Sequence, residues 1–486
     1  MSGRSDRLIR LSDDARILSE QECETLAKRV FALASGPGET YVSILSWWNG
    51  ELRWARNRTS LAGDRRDIRV DIARDVGVGR AVATTNQLDD VSLESAVRAA
   101  ERAAVLSPNV RHPKPLHPPL PKPDRPKTAI WSDATYAVTP EVRGETARSL
   151  IEAAEAKGMS SAGYLEMRAG SRAVLSSERM GSTPAPWDVP YAAWTQAQCS
   201  MTVRDKEGSG SGWAGVSNHD WAKIDASALA SRALEKCIAS QHPVALEPGR
   251  YTVILEPQAV AEMIAILETS MGRYSREFAA EQGMGPWALA PDDVLHLWRT
   301  KLGLKVLDER ITISHDPTDP MLGIFPEPWM EPLTWFDKGV LTNLPFVRSY
   351  ALEKLNVNSA RRPLTGYRMS GGPTSIDEMI STTTRGLLVS RLSNIRMLDE
   401  TSLLSTGLTR DGLWLIEHGK ISKAVKNLRF TESPLFALNS VEQLGEPVPV
   451  FRPAKNPYES ERPLTPAIVP PIKSRDFSFT STIDAI

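Results

Sequence analysis

The chain has 486 residues, and its 58 Lys plus Arg stand against 59 Asp plus Glu, a balance with no field to hold a nucleic-acid backbone. Three cysteines, Cys23, Cys199 and Cys237, lie far apart and outside any C-x-x-C pair, which argues against a disulfide framework or a zinc knuckle and for a reducing compartment. The start has no apolar signal-peptide core and no apolar run approaches about 18 residues, so the expectation is a cytoplasmic protein that does not enter a membrane.

In chain order, residues 19–34 read as an amphipathic helix. Ser19 and Glu22 form a capping-box pattern, and Cys23, Leu26, Ala27, Val30 and Phe31 share a face. Tyr41 to Trp47 reads as a strand, Asn49-Gly50 as a hairpin turn, and Glu51 to Arg56 as the return strand. Ile68, Val70 and Ile72 alternate as a half-buried strand should, and residues 92–106 return to helix. Pro108 to Pro126 cannot join a helix or a central strand and reads as a linker.

The order then repeats. Thr139 caps and Pro140 opens a helix that ends at Gly158. A hairpin is expected around Ala169-Gly170, a strand over Gln196 to Val203, a flexible turn over residues 208–215, and a helix over 225–240. From 246 to 446 one helical stretch, Ala259 to Arg276, is set among short apolar runs: Tyr251–Leu255, Leu304–Ile313, Trp335–Leu341, Gly386–Leu392, Gly412–Ile416 and Ile421–Leu428. The fold class expected is α+β: two N-terminal α/β modules (1–106 and 128–245, joined by a Pro-rich linker at 107–127) and a large, mainly antiparallel β domain with a buried helix (246–446). Residues 447–486 read as an extended or partly disordered proline-rich tail.

Several segments, in this order, resemble those of the TldD/TldE (PmbA) family, the "modulator of DNA gyrase" proteins. They are WWNGELRWARN, RRDIRVDIARDVGVG and SLESAVRAAERAA in the first region. In the third they are PGRYTVILEPQAVAEMI, FDKGVLTNLPFVRSYALEKLNVNSARR, TSIDEMISTTTRGLLV and GLWLIEHGKISKAVKNLRFTESPLFALNSVEQLG. The resemblance implies an intracellular peptidase family acting as paired subunits. Its catalytic members carry H-E-x-x-x-H on the helix after the PG…VIL strand, with a later cysteine completing the zinc site. In the matching register Ala265 and Ile266 stand about where His-Glu is expected and the second histidine would fall near Ser270. No histidine lies between His242 and His296, and no cysteine follows Cys237.

The departure resembles the TldE (PmbA) branch. It implies a subunit with no catalytic residue, metal ligand or cofactor of its own, paired with a TldD-like zinc-bearing subunit, or with itself, and holding unfolded peptide as an added strand. Two alternatives remain open: a hydrolase rebuilt around His315 and Asp316, and a regulatory peptide-binding protein without a protease partner.

Of the seven histidines, His112 and His117 sit in the linker. His315, in SHDPTDP beside Asp316 and Asp319, is the best remaining place for a relocated metal or an acid–base pair, although a turn-forming Asp-Pro cluster explains the same residues. His418 before Gly419 reads as a turn residue in left-handed geometry. Glu262 and Glu268, six residues apart, read as surface or cleft-lining carboxylates. Arg361 and Arg362 form a basic turn that could hold a carboxylate or phosphate, or make a rim salt bridge; the resemblance puts that turn near the substrate channel. Glu268, His315, Asp316, Arg361, Arg362 and His418 are therefore the candidate cleft residues.

Overall fold

The structure, a computed structural model, describes residues 17–36, 38–76, 79–106, 130–177, 189–271, 276–291, 297–319, 321–322, 331–347, 350–357, 359–361, 364, 366–452 and 466–483. The proline linker at 107–127 and Arg362 lie outside them.

The first repeat is α1 (Glu20–Leu33), β1 (Glu39–Ala55), β2 (Arg58–Val76), β3 (Gly79–Thr85) and α2 (Asp90–Leu106). Both halves of the expected capping box on α1 are made, and Leu93, Ala96, Val97, Ala100 and Ala104 form the buried face of α2. After a short α3 (Asp133–Tyr136), the second repeat is α4 (Pro140–Glu155), β4 (Ser160–Ser176), β5 (Val189–Arg204), β6 (Ser211–Asn218) and α5 (Ala226–Ala239). The repeats share one antiparallel sheet in the order β3-β2-β1-β4-β5-β6, in which β1 pairs with β4 from Tyr41–Ser176 to Ala55–Ala162.

Neither expected hairpin exists. Asn49-Gly50 lies inside β1 and Ala169-Gly170 inside β4, each a single strand of 17 residues. The glycines make room rather than turns. A Cβ on Gly170 would sit 2.5 Å from the Trp194 ring, and one on Gly50 would sit 2.7 Å from the Trp48 ring and nearer still to the Arg143 guanidinium. The chain turns instead at Arg56-Asn57, both at positive φ (52° and 60°), as a two-residue hairpin loop requires. Asn57 is locked there: its Oδ1 accepts from the Ser161 amide (2.6 Å) and its Nδ2 donates to the Met159 carbonyl (3.0 Å). The 208–215 stretch is likewise strand from Ser211 onward. A Cβ on Gly212 would lie 2.9 Å from Lys236 Cβ, so the glycine lets β6 approach α5 closely.

The C-terminal part contains β7 (Gly249–Leu255), α6 (Pro257–Met271), α7 (Arg276–Glu281), a small hairpin of β8 (Ala288–Leu289) and β9 (Arg299–Thr300), β10 (Ile313–His315), β11 (Leu333–Asp337), β12 (Val340–Leu341) and β13 (Tyr367–Met369). Then follow α8 (Ile376–Ser381), β14 (Arg385–Asp399), β15 (Leu404–Glu417), β16 (Lys420–Ala424), β17 (Leu428–Glu432), α9 (Pro434–Ala437), β18 (Val441–Leu444), β19 (Val448–Pro449), β20 (Ala467–Val469) and β21 (Ile472–Thr482). Of the expected apolar runs, only Leu304–Ile313 stays mostly turn.

The ladder β14-β7-β21-β17-β15 closes on itself because β15 also pairs with β14, which removes its edges. A second sheet runs β12-β11-β10-β13-β20-β19. Helix α6 packs on β14 and β7 of the closed sheet and on β20 of the open one. Its apolar side chains share one core with Val253, Leu387, Ile313, Tyr367 and Val469.

Of the extended or partly disordered tail expected from 447 onward, 453–465 and 484–486 lie outside the described residues, and the rest is corrected to strands built into the sheets. Pro470-Pro471 lie between β20 and β21, and β21 inserts between β7 and β17 with Ile472 and Phe477 fully buried. Prolines between strands read as disorder when the strands they separate form no local hairpin.

Candidate functional site

Helix α6 is where the resemblance locates the catalytic chemistry, so the site is built from it. Ala265 and Ile266 offer no donor atom, and the Ser270 hydroxyl donates to the Leu267 carbonyl 2.7 Å away. A zinc ion needs imidazole, thiolate or carboxylate ligands converging at about 2.0–2.3 Å. Among the described residues no group of three His, Cys, Asp or Glu is arranged to hold a metal. The residues at this position do not fit zinc.

Of the two places the sequence reading allowed for the carboxylates on α6, surface or cleft lining, the surface is excluded. Glu268 is 8 % exposed and accepts from Arg452 Nη2 at 2.6 Å. The other face of that guanidinium meets Tyr367, whose hydroxyl is 3.4 Å from Nη1. Burial opposes the arginine's charge, but Tyr367 and Glu268 outweigh it and hold the guanidinium protonated, while burial and the nearby Glu268 push the Tyr367 phenol well up.

Glu262, one and a half turns earlier, accepts from the Leu392 amide and from Gln258 Nε2, and lies 3.5 Å from Arg391 Nη2. Burial pushes its carboxyl up to about 7, against the pull of Arg391. Each carboxylate that could have served as a base is therefore bound to an arginine from a distant segment.

The remaining candidates scatter. His315 is buried at the end of β10, with Nδ1 3.0 Å from the Gly366 carbonyl oxygen, next to Tyr367. Asp316 closes a turn, accepting from the Thr318 amide (2.8 Å) and hydroxyl (2.7 Å). Asp319 binds Arg368 at 2.6 Å. Arg361 exchanges backbone hydrogen bonds with Phe346 and holds its guanidinium 4.5 Å from that ring; burial lowers its pKa, partly offset by Glu277. His418 is an exposed turn residue at φ 51°, as its sequence context suggests.

Sequence reasoning missed Arg452, Tyr367, Gln258, Arg391 and Gln198. Arg452 and Glu268 are 184 residues apart, and no local pattern links them. A separate cleft of about 420 Å³ opens where the β5–β6 turn and the end of α5 meet β15, lined among others by Ser209, His242, Asp411 and Lys426.

Residues 248–481 match the family model described as the PmbA/TldA metallopeptidase C-terminal domain. The C-terminal part of the chain is a domain of the PmbA/TldA family. Solved structures of similar fold include a protein from Thermotoga maritima described as a proposed modulator of DNA gyrase. It is 14 % identical, has a TM-score of 0.76, and the match covers 94 % of this chain and 100 % of that one. TldE from Thermococcus kodakarensis is 16 % identical with a TM-score of 0.73, covering 94 % and 100 %. A protein from Bacteroides thetaiotaomicron with the same gyrase-modulator description is 17 % identical with a TM-score of 0.70, covering 95 % and 99 %. At these identities the likeness speaks to the fold, and it extends over the N-terminal sheet as well as the matched C-terminal domain. No curated protein matches the chain. Among the described residues, no helix is long and apolar enough to cross a membrane.

Proposed function

We propose that this chain is the non-catalytic subunit of a cytoplasmic peptide-processing pair, shaping the chamber and holding extended peptide while a TldD-like, zinc-bearing partner hydrolyses it. What carries the reading is the state of α6. The positions expected to supply His-Glu and His are Ala265, Ile266 and Ser270, and the helix's own carboxylates, Glu262 and Glu268, are committed to Arg391 and Arg452. Both side chains are held inside the fold by arginines from distant segments, so neither is free to face a water beside a substrate. Peptide capture fits the fold, since among the described residues the open C-terminal sheet ends at β20 and the short strand β19, and an extended chain can be held at such an edge through main-chain hydrogen bonds.

The test is purification of the chain alone and together with an HExxxH-bearing companion from the same source. The expected result is substoichiometric zinc and no cleavage of unfolded peptides by the isolated chain, with chelator-sensitive cleavage by the pair. Peptide cleavage by the isolated chain that a chelator abolishes would overturn the proposal. Recovery of a stable chain with no protease companion would favour a regulatory binding protein instead.

A further inference from the structure

We propose that residues 448–452 of this chain are a built-in pseudo-ligand, lying as an added edge strand in a groove that recognises an aromatic residue followed by arginine in extended peptides. The inference rests on the reading that peptide is held as an added strand, and it names where and with what preference.

Three features of the segment are those of a bound peptide. Its backbone augments a sheet edge: among the described residues β19 is the outermost strand, paired to β20 through Val448–Val469 and Pro449–Ile468 and then by the Val450 amide donating to the Ala467 carbonyl at 3.1 Å. Beyond Val450 the main chain leaves the sheet, and its carbonyls are taken by side-chain amides from two different parts of the molecule. Gln258 Nε2 on α6 donates to the Phe451 carbonyl (3.2 Å), and Gln198 Nε2 on β5 donates to the Arg452 carbonyl (2.7 Å). Such contacts hold any extended peptide.

Successive side chains then enter separate pockets. Phe451 sits edge-on to both Tyr164 (5.7 Å between centroids) and Trp213 (5.6 Å). Gly215 keeps that pocket open, since a Cβ there would lie 3.0 Å from the Phe451 ring. Arg452 enters the second pocket, where Glu268 lies at the bottom and the Tyr367 ring forms a wall 5.9 Å from the guanidinium carbon.

The pockets set a preference. Glu268 is almost fully enclosed, and an enclosed carboxylate without a partner is costly, so the groove is stable only when a cation fills it. A guanidinium is more weakly hydrated than an ammonium and stacks on an aromatic face, so arginine is favoured over lysine. The tethered segment competes with any free peptide at an effective concentration of roughly millimolar. An incoming strand must displace it.

The probe is a fluorescein-labelled heptapeptide, Pro-Val-Pro-Val-Phe-Arg-Pro, with a control in which Phe-Arg is replaced by Ala-Ala, read by anisotropy. The full chain with Phe451→Ala and Arg452→Ala, its circular dichroism matching the wild type, is expected to bind the probe at least about tenfold more tightly than the wild type does and to ignore the control. Adding Glu268→Gln should reverse most of that gain. A folded double variant that binds no better than wild type, or that binds probe and control alike, overturns the proposal.

Because the double variant removes a buried ion pair, hydrogen exchange on the unaltered chain provides an independent check. The Val450 amide, which donates to the Ala467 carbonyl, should exchange faster than the bonded amides of β21, by opening of the segment alone. Exchange of that amide only with global unfolding means that the segment cannot leave and also overturns the proposal. Neither measurement involves zinc, a companion subunit or cleavage, so failure here is distinct from failure of the assigned subunit role.

Discussion

The Arg391 guanidinium, on β14, lies 4.3 Å from the centre of the Trp213 ring on β6, so a single side chain of the closed C-terminal sheet is stacked on the N-terminal sheet. The same group stands 3.5 Å from Glu262 and 3.6 Å from Asp411, and Asp411 in turn accepts from Ser211 of β6 at 2.7 Å. One residue thus links charge balance within the C-terminal part to its docking on the N-terminal sheet.

Arg391→Ala should leave Glu262 and Asp411 without their shared counter-ion. With 21 % of the Arg391 side chain exposed, solvent softens the loss, and the expected cost is about 2–3 kcal/mol, below that of breaking a fully enclosed pair. Arg391→Lys should recover part of it. Thermal unfolding followed by tryptophan fluorescence checks both, and an unchanged midpoint for the alanine variant would show that the stacking is incidental.

Glu262 should make stability depend on pH. Its carboxyl titrates near 4.5 when unfolded and is raised to about 7 when folded, chiefly by burial. Between those values the folded chain keeps a proton that the unfolded chain has released. Its contribution is therefore fully present below about 4.5 and is lost as pH rises through about 7. The groups around it are Arg391 of β14, Asp411 of β15, and Gln258 of its own helix with the Leu392 amide. The full shift corresponds to something on the order of 3 kcal/mol, and the 18 % exposure of the Glu262 side chain makes that an upper bound. Glu262→Gln should flatten the fall in melting temperature between pH 5 and 8; a slope identical to wild type would refute the assignment.

Gly170→Ala and Gly63→Ala form a matched pair. The first drives a methyl group into the Trp194 ring inside a long strand and should cost about 1–3 kcal/mol. The second meets nothing within 4 Å on the exposed part of β2 and should be neutral or stabilising by about 0.5 kcal/mol. Urea unfolding of the two variants side by side decides it; equal midpoints would mean that the ring yields.

All three thiols should be inert in the folded chain. Burial pushes Cys23 and Cys199 up to about 12 and Cys237 to about 11, so almost no thiolate exists at neutral pH. Ellman's reagent should react with the native protein far more slowly than with the protein in guanidinium chloride. Rapid native labelling of any one of them would contradict its burial.

The helices were legible because their signals are local. Ser19 with Glu22, and Thr139 with Pro140, mark N-termini by chemistry completed within a single turn, and the apolar face of α2 repeats at its own period. The strands were legible as strands, but the turns between them were not. Asn49-Gly50 carries the strongest two-residue hairpin signal in its region, yet it lies flat because Arg143 and Trp48 fill the space above Gly50. Arg56-Asn57 carries a weak signal, yet it turns because Asn57 finds partners at Ser161 and Met159, more than a hundred residues away. The tail was misread for the same reason, since β21 pairs with β7 and β17 rather than with a neighbour in sequence.

By itself the sequence determined where helices begin, that the chain is α+β, that its segments resemble the TldD/TldE family, and that no histidine lies on α6. Each of these is a property of composition or of residues within a few turns of one another. Only the tertiary structure decided that two repeats share one sheet, that the last strand closes the C-terminal sheet, and that Glu262 and Glu268 are enclosed against Arg391 and Arg452 rather than free. Those outcomes depend on which distant backbone edge is left to pair and on how much water remains around a carboxylate, and both quantities exist only once the chain has folded.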